Sequence, residues 1–152
     1  MIVDAHSVKK VATIQARMNS ARLPGKVLMS LANQPALERM CERVRRAKFV
    51  DEIVIATTIS REDDVIVEWA RANNISVFRG SEEDVLERVL GAARKFNADI
   101  IIQLTGDCPL IDPLIIDQLV EMYVSTDTDY VSNIMRRSYP RGLDTQVFST
   151  KA

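Results

Sequence analysis

The sequence predicts an α/β domain in which helices cover both faces of a mostly parallel, doubly wound sheet, giving three layers. Short apolar, β-branched runs alternate along the chain with longer segments of helical periodicity. The run DIIIQL at residues 99–104 is apolar almost throughout, as in strands that helices cover on both faces. The length of 152 residues suits a single domain. Strands and helices in alternation predict a parallel sheet between two helical layers.

The individual elements follow from the spacing of the apolar residues. We expect strands at residues 11–16, 53–57, 76–79 and 99–104, with shorter ones at 130–132 and 145–148. We expect helices at residues 35–46, 60–74 and 81–96, and a fourth that starts near residue 113. In the first helix, the apolar residues recur every three or four positions and therefore share one face.

Capping patterns predict where the helices begin. Ser60 is followed three residues later by Asp63, which is the spacing of a capping box. Ser81 and Asp84 repeat that spacing before the third helix. Asp112 precedes a proline, as expected for an N-cap residue with proline at the first helical position.

The composition excludes several classes of protein. Twenty basic and 21 acidic residues give a net charge of −1, which argues against a general nucleic-acid binder. Cys41 and Cys108 are too few for a disulfide scaffold, and one histidine, His6, is expected at the surface rather than in a metal site. No apolar run is long enough to span a membrane, and the first ten residues lack the apolar core of a signal peptide.

The charge is unevenly distributed. Residues 5–37 contain no acidic residue but five cations, and Arg17, Arg22 and Lys26 lie together in the segment QARMNSARLPGK at residues 15–26. Charge alone favours a solvated basic stretch. The glycine spacing fits neither a dinucleotide-binding fingerprint nor a P-loop. The small residues and cations of this loop instead favour a polyphosphate, which arginine and lysine both bind.

The segment QARxxSxRLPGK after a first strand resembles the signature loop of the sugar cytidylyltransferases, which act on 3-deoxy-manno-octulosonate and acylneuraminate. The passages FRGSEEDVLERV, QLTGDCPLIDP and YPRGLDTQVFS resemble the spore-coat polysaccharide biosynthesis branch. The resemblance implies a nucleotide-diphosphosugar transferase-like, Rossmann-like fold and a CTP-binding first loop. It further implies that Arg17, Arg22 and Lys26 hold the triphosphate and act in catalysis, and that the backbone near Ala16 faces the base.

Asp107 lies in the turn GDCP after the strand at residues 99–104. As a residue type in that position it is equally consistent with a turn residue and a metal ligand. The resemblance implies the magnesium ligand, because the family carries its metal-binding aspartate in this turn. Cys108 is expected to be a buried small residue rather than a nucleophile, since no nearby histidine could activate it.

Other strand ends supply weaker candidates. The acidic residues after Ser81 are better explained as helix-capping groups than as an acid–base pair. The resemblance places this segment beside the cytosine, so that Ser81 and, less directly, Thr57 are candidate base contacts. Within the segment RRSYPRGLD, it implies that Arg141 and Asp144 contact the sugar.

These observations predict a nucleotidyltransferase that moves CMP from CTP to a sugar or sugar acid and releases pyrophosphate, with Mg²⁺ as cofactor. Its partners would be CTP and the sugar, with no nucleic acid or membrane; we also expect a cytoplasmic location and a homodimer. A non-catalytic CTP-binding module and a glycosyltransferase that uses a nucleotide sugar remain alternatives. The resemblance implies a continuation past Ser149 with a second metal-binding motif. Residues 1–152 are therefore expected to be one nucleotide-binding domain, either the N-terminal part of a longer protein or a shortened relative, in which CTP binding survives better than catalysis.

Overall fold

The computed structural model describes residues 8–151, so that His6 lies outside the described part of the chain. The strands are β1 (Lys10–Gln15), β2 (Ser30–Leu31), β3 (Gln34–Pro35), β4 (Glu52–Thr58), β5 (Ser76–Gly80), β6 (Ile100–Thr105), β7 (Tyr130–Ser132) and β8 (Gln146–Ser149). The helices are α1 (Ala36–Val44), α2 (Asp64–Ala72), α3 (Val85–Lys95) and α4 (Pro113–Ser125), with 3-10 turns at Lys26–Leu28 and Arg61–Asp63.

The central sheet has six strands in the order β5-β4-β1-β6-β8-β7. β1 pairs in parallel with both β4 and β6, and β4 pairs in parallel with β5. β8 runs antiparallel to its neighbours β6 and β7, so the predicted mostly parallel sheet is confirmed. The chain moves outward from β1 to β4 and β5, and then crosses back to β6 on the other side of β1. This reversal makes the carboxyl ends of β1 and β6 the expected ligand-binding crevice.

Helices pack on both faces of the sheet and complete the predicted three layers. On one face, α3 places Val89 and Ala92 against Val11 and Val54 of the sheet. On the other face, α1, α2 and α4 pack over alternate strand residues such as Ile14, and this core is the larger of the two. Each of the larger aliphatic side chains that is fully buried in these cores stabilises the fold by about 1.5–3 kcal/mol.

Of the predicted helix starts, Asp112 is confirmed, whereas the third helix begins later than predicted, with Asp84 rather than Ser81 as its N-cap. Asp112 and Asp84 are N-cap residues whose carboxylates accept from Leu114 N and Glu87 N, at 2.9 and 2.8 Å. Ser60 is an N-cap residue, but of the 3-10 turn Arg61–Asp63, where its Oγ accepts from Glu62 N at 3.4 Å; Asp63 does not complete a capping box with it. The carboxylate of Asp63 turns inward to Thr58 and the loop after β1, because those backbone N–H groups would otherwise be buried without an acceptor.

The β2–β3 hairpin was not predicted. Its two strands are only two residues long, and its turn places Ala32 and Asn33 at φ 51° and 69°. Turns of this kind usually carry glycine, so this sequence lacks the usual signal. Among residues 8–151, no helix has the length and apolar character needed to cross a membrane.

Candidate active site

The segment that follows β1, residues 16–26, is called the basic loop here. It is fixed at its base, where Ala16 N donates to Ala56 O at 3.2 Å and Met18 N donates to the Asp63 carboxylate at 2.7 Å. It closes on itself where Gly25 N donates to Met18 O at 2.8 Å. Gly25 has φ 72°, a conformation that favours glycine at this point of the turn.

The three cations of the basic loop line one cleft. Arg17, Arg22 and Lys26 all border it, together with Ala16 at the end of β1. Both arginines are exposed and form no hydrogen bond or ion pair with any residue of the described range 8–151. Their guanidinium groups are therefore available to an anion in the cleft.

The opposite wall of the cleft is the turn after β6. Gly106 N donates to Gln15 O at 2.7 Å, so this turn touches the end of β1. A Cβ on Gly106 would lie 2.8 Å from that same carbonyl oxygen. Glycine is therefore required for the two strand ends to approach this closely, and the approach brings Asp107 to the cleft.

Lys26 and Asp107 pair across the cleft, with 2.5 Å between Nζ and Oδ2. Partial burial raises the pKa of the Asp107 carboxyl, but the hydrogen bond and charge of Lys26, helped by Thr105, outweigh it. The net pKa lies below the ordinary value, so this carboxylate is ionised at neutral pH. The predicted phosphate ligand and the predicted metal ligand thus hold each other in place.

The cleft has a volume of about 320 Å³, which lies at the lower end of the range for small-molecule sites. Its floor is formed by the ends of β1 and β6, and its walls carry the basic loop and the first turns of α3. Four cations, Arg17, Arg22, Lys26 and Arg88, face one carboxylate. This arrangement favours a ligand with several negative charges.

The predicted magnesium site offers one protein carboxylate, that of Asp107. Asp107 is half-exposed at the cleft, and no cluster of three or more histidine, cysteine or acidic residues exists within residues 8–151. Magnesium is usually bound by one or two carboxylates together with substrate phosphates and water. One carboxylate beside a polyphosphate-sized cleft fits that pattern, whereas an all-protein metal cage does not.

The structure does not bring the other predicted residues into this cleft. Thr57 is fully buried, and it lies two residues from Ile55, on the face of the sheet that α1 and α2 cover. Ser81 caps the approach to α3, where its Oγ accepts from Asp84 N at 3.0 Å. Their roles toward the base stay predictions.

The two predicted sugar contacts also lie outside the cleft lining. Arg141 is exposed. Asp144 accepts two hydrogen bonds from Arg137, at 2.9 and 3.0 Å. Burial, and then the charges of Asp107 and Asp144, raise the pKa of the Cys108 thiol. The charge of Asp144 therefore acts on the turn after β6. Cys108 is buried, as predicted for a packing residue.

Sequence reasoning missed Arg88 of α3, which lines the cleft although it is only 3% exposed. A charged residue in a helix is normally solvated, so the helical pattern gave no reason to place it inside. The nearest sequence signal is Gly80, because a glycine at the end of a strand can mark a close approach of another element. In the structure, an added Cβ on Gly80 would lie 3.0 Å from Arg88 Cγ. Thr105, at the end of β6, was missed as well.

The glycosyltransferase alternative would use an Asp-x-Asp pair as its acidic metal site, and Asp127 and Asp129 form such a pair in this chain. Both border a different groove, together with Asp99 at the start of β6 and Ser149. That groove lies at the amino end of β6, whereas the basic cleft lies at its carboxyl end. This pair therefore cannot serve the same site as Asp107.

The fold and the cleft define an α/β domain with a basic cleft at the switch point of its sheet. Residues 11–146 match the model of the cytidylyltransferase family. The chain belongs to this family.

Individual relatives agree with this assignment. A spore coat polysaccharide biosynthesis protein, SpsF, from Bacillus subtilis is 40% identical over 121 residues, which cover 77% of this chain and 50% of SpsF. A 3-deoxy-manno-octulosonate cytidylyltransferase from Trichlorobacter lovleyi is 36% identical over 115 residues, or 75% of this chain and 44% of that enzyme. The solved structure of a cytidylyltransferase from Leptospira borgpetersenii has a TM-score of 0.89 and 41% identity, covering 95% of this chain and 61% of the other.

The chain thus spans about half the length of the curated relatives it matches. The shared part contains the basic loop and Asp107, since the family match extends from residue 11 to residue 146. The resemblance predicted from the sequence is confirmed at the level of the family and the fold.

Proposed function

We propose that this chain carries the nucleotide-binding part of a cytidylyltransferase that transfers CMP from CTP to a sugar or sugar acid. One observation carries the proposal: Arg17, Arg22 and Lys26 meet Asp107 in one cleft at the switch point of the sheet. Two unpartnered arginines among the described residues suit phosphate oxygens, and a carboxylate beside them suits a divalent cation. The names of the relatives support a sugar acid or surface polysaccharide sugar as the acceptor.

In the proposed reaction, a hydroxyl oxygen of the sugar forms a bond to the α-phosphorus of CTP. The bond from that phosphorus to the oxygen bridging the α- and β-phosphates breaks, and pyrophosphate leaves with this oxygen. The proton of the attacking hydroxyl passes to solvent or to the departing pyrophosphate. Such a transfer depends on positioning and charge neutralisation rather than on a covalent enzyme intermediate.

The residues of the cleft would act mainly through charge. Arg17 and Arg22 would bind phosphate oxygens through paired N–H groups. Lys26 would stabilise the negative charge that develops on the phosphate oxygens in the transition state. Asp107 would hold Mg²⁺, which neutralises phosphate charge and lowers the pKa of a coordinated hydroxyl. The backbone at Ala16 would border the base.

The remaining predicted contacts belong to the same proposal. Ser81 would contact the cytosine, whereas Thr57 is fully buried and would not reach a ligand in the cleft. Arg141 and Asp144 would bind the sugar once Asp144 exchanges its two hydrogen bonds from Arg137. The proposed enzyme would be a homodimer and would work in the cytoplasm, where CTP is available.

The test is calorimetric titration of the chain with CTP and Mg²⁺, together with a pyrophosphate-release assay on candidate sugar acids. A double substitution of Arg22→Met and Lys26→Met should weaken CTP binding by at least about 10-fold, since two charge-assisted hydrogen bonds are lost. The matched control is the double substitution of Arg46→Met and Lys48→Met, which removes two exposed cations outside the cleft lining. Equal CTP affinity in the two double variants would refute the proposed role of the basic loop.

A further inference from the structure

Arg88 is an unusual residue for the first turn of a helix. Arg88 is only 3% exposed to solvent, yet it borders the basic cleft. Isolated buried charges are costly, and proteins normally pair them with an opposite charge and satisfy every donor. The partners of Arg88 therefore indicate what the residue is for.

Only one end of the guanidinium group is satisfied. Arg88 Nη1 donates to Ser81 O and to Glu82 O, the latter at 3.4 Å, and so holds the segment before α3. Arg88 Nε is buried and has no hydrogen-bond partner among residues 8–151. No ion pair to Arg88 occurs within that range. Nη2 likewise donates to no residue of that range, and it is not among the enclosed atoms, so a buried cation with a free donor lies at the wall of the basic cleft.

The charge around Arg88 is not balanced by the protein. Burial lowers the pKa of Arg88 first, and repulsion from Arg17 lowers it further; Asp63, Glu82 and Glu87 act in the opposite direction without compensating. Arg17 also borders the cleft. Two neighbouring cations that repel each other would both be stabilised by one anion that contacts them.

The packing around Arg88 also keeps it in place. Gly80, at the end of β5, leaves no room for a side chain, because an added Cβ would lie 3.0 Å from Arg88 Cγ and 3.2 Å from Arg88 Cα. α3 consequently lies close against β5, with its amino-terminal turn at the cleft. This packing sets the position of the Arg88 stem, and the bonds from Nη1 to Ser81 O and Glu82 O orient its guanidinium group.

We propose that Arg88 is a further phosphate ligand, whose Nη2 group donates to the same polyphosphate that the basic loop binds. The inference rests on the proposed function, because it adds a fourth cation from a different element to the same ligand. It assigns α3 a direct part in binding, whereas the basic loop alone would leave this buried charge without an anion.

The test compares inorganic tripolyphosphate, CTP and cytidine as ligands in calorimetric titrations of the full chain. Arg88→Met should weaken the binding of tripolyphosphate and of CTP by at least about 10-fold, the range expected for one charge-assisted contact. The affinity for cytidine should stay unchanged, and Arg88→Lys should recover part of the loss. Arg94→Met is the matched control, since it removes an exposed arginine from the last turn of the same helix.

A second control separates binding from support of the segment before α3. Asp84→Ala removes the N-cap of α3 and loosens that segment while leaving the charge of Arg88 in place. It should retain tripolyphosphate affinity within about threefold, even though a lost cap costs about 1 kcal/mol of stability. The salt dependence of tripolyphosphate binding should decrease in Arg88→Met and stay unchanged in Asp84→Ala, because only the former removes a charge contact.

Three results would overturn the inference: equal affinities in Arg88→Met and Arg94→Met, an equal loss in Asp84→Ala, or a loss confined to cytidine. The last would make Arg88 a contact to the base. If Arg88→Met loses tripolyphosphate binding but the unsubstituted chain does not prefer CTP to GTP, the inference stands and the proposed function fails. Thermal unfolding of each variant shows whether it is folded under the conditions of the titration.

Discussion

Asp63 connects the basic loop to the body of the protein through one buried carboxylate. Its oxygens accept from Met18 N at 2.7 Å, from Thr58 N at 3.1 Å and from Thr58 Oγ1 at 2.5 Å. An amide at this position could accept on one oxygen only and would turn its own N–H groups toward a buried donor. Asp63→Asn should therefore lower the free energy of unfolding by about 1–3 kcal/mol.

Urea denaturation measures this change, and Asp64→Asn is the matched control one residue further on. Asp64 pairs with Arg79 at 2.6 Å, but its side chain is 50% exposed. Exposed pairs of this kind contribute about 0–1 kcal/mol. A loss in Asp64→Asn as large as that in Asp63→Asn would contradict the role given to the buried carboxylate. The loosened loop should also bind CTP more weakly in Asp63→Asn.

The protonation of Asp107 depends on Lys26. In the folded chain its pKa lies below the ordinary value of 3.8, so the pair stabilises the fold at neutral pH and that contribution is lost as the pH falls through the folded pKa. Lys26→Met removes the hydrogen bond and the charge but leaves the burial, which raises the pKa. The carboxyl titration of Asp107, followed by NMR, should shift to higher pH in Lys26→Met.

Arg22→Met is the control for this titration. Arg22 borders the same cleft, but no bond links it to Asp107 within residues 8–151. The Asp107 midpoint should move less in Arg22→Met than in Lys26→Met. A midpoint that does not change in Lys26→Met would mean that the two side chains are not paired in solution.

At the scale of the elements, the sequence predicts those parts of the fold that depend on local pattern. β6 can be predicted because burial on both faces requires an apolar run. The Asp112 cap can be predicted because proline follows it at the first helical position. The β2–β3 hairpin leaves no such trace, since its turn uses Ala32 and Asn33 in place of glycine. Local rules fail where tertiary packing decides the conformation.

The contact between β1 and β6 gives a prediction for these elements. Gly106→Ala would place a Cβ 2.8 Å from Gln15 O, closer than such atoms approach without a shift in the backbone. We expect a loss of about 1–3 kcal/mol in the free energy of unfolding, as for other overpacked sites. CTP affinity in the presence of Mg²⁺ should fall as well, since the shift displaces Asp107, the proposed metal ligand, from the cleft. Chemical denaturation and titration calorimetry measure the two effects, and a variant that matches the unsubstituted chain in both would contradict this account of the cleft.

At the scale of the whole molecule, the sequence identified one side of the site better than the other. Arg17, Arg22 and Lys26 could be grouped because they lie within ten residues of one another. Asp107 was predicted only because the resemblance to the family implied a metal ligand in that turn. Arg88 could not be found in this way. Its place in the cleft depends on how closely α3 packs against β5, which is a property of the folded chain.

The pairing of Lys26 with Asp107 also couples the two ligands of the proposed enzyme. Phosphate oxygens that attract Lys26 would release the carboxylate, so Mg²⁺ and CTP should each strengthen the binding of the other, by a free energy in the usual range of about 1–3 kcal/mol. Asp107→Asn separates the two effects. It leaves Lys26 unpaired and removes a negative charge from the cleft, so CTP should bind more tightly than to the unsubstituted chain when no metal is present. The gain that Mg²⁺ brings should be largely lost in the same variant. Titrations with CTP, with and without Mg²⁺, measure both, and weaker metal-free binding in Asp107→Asn would show that the carboxylate does not restrain Lys26.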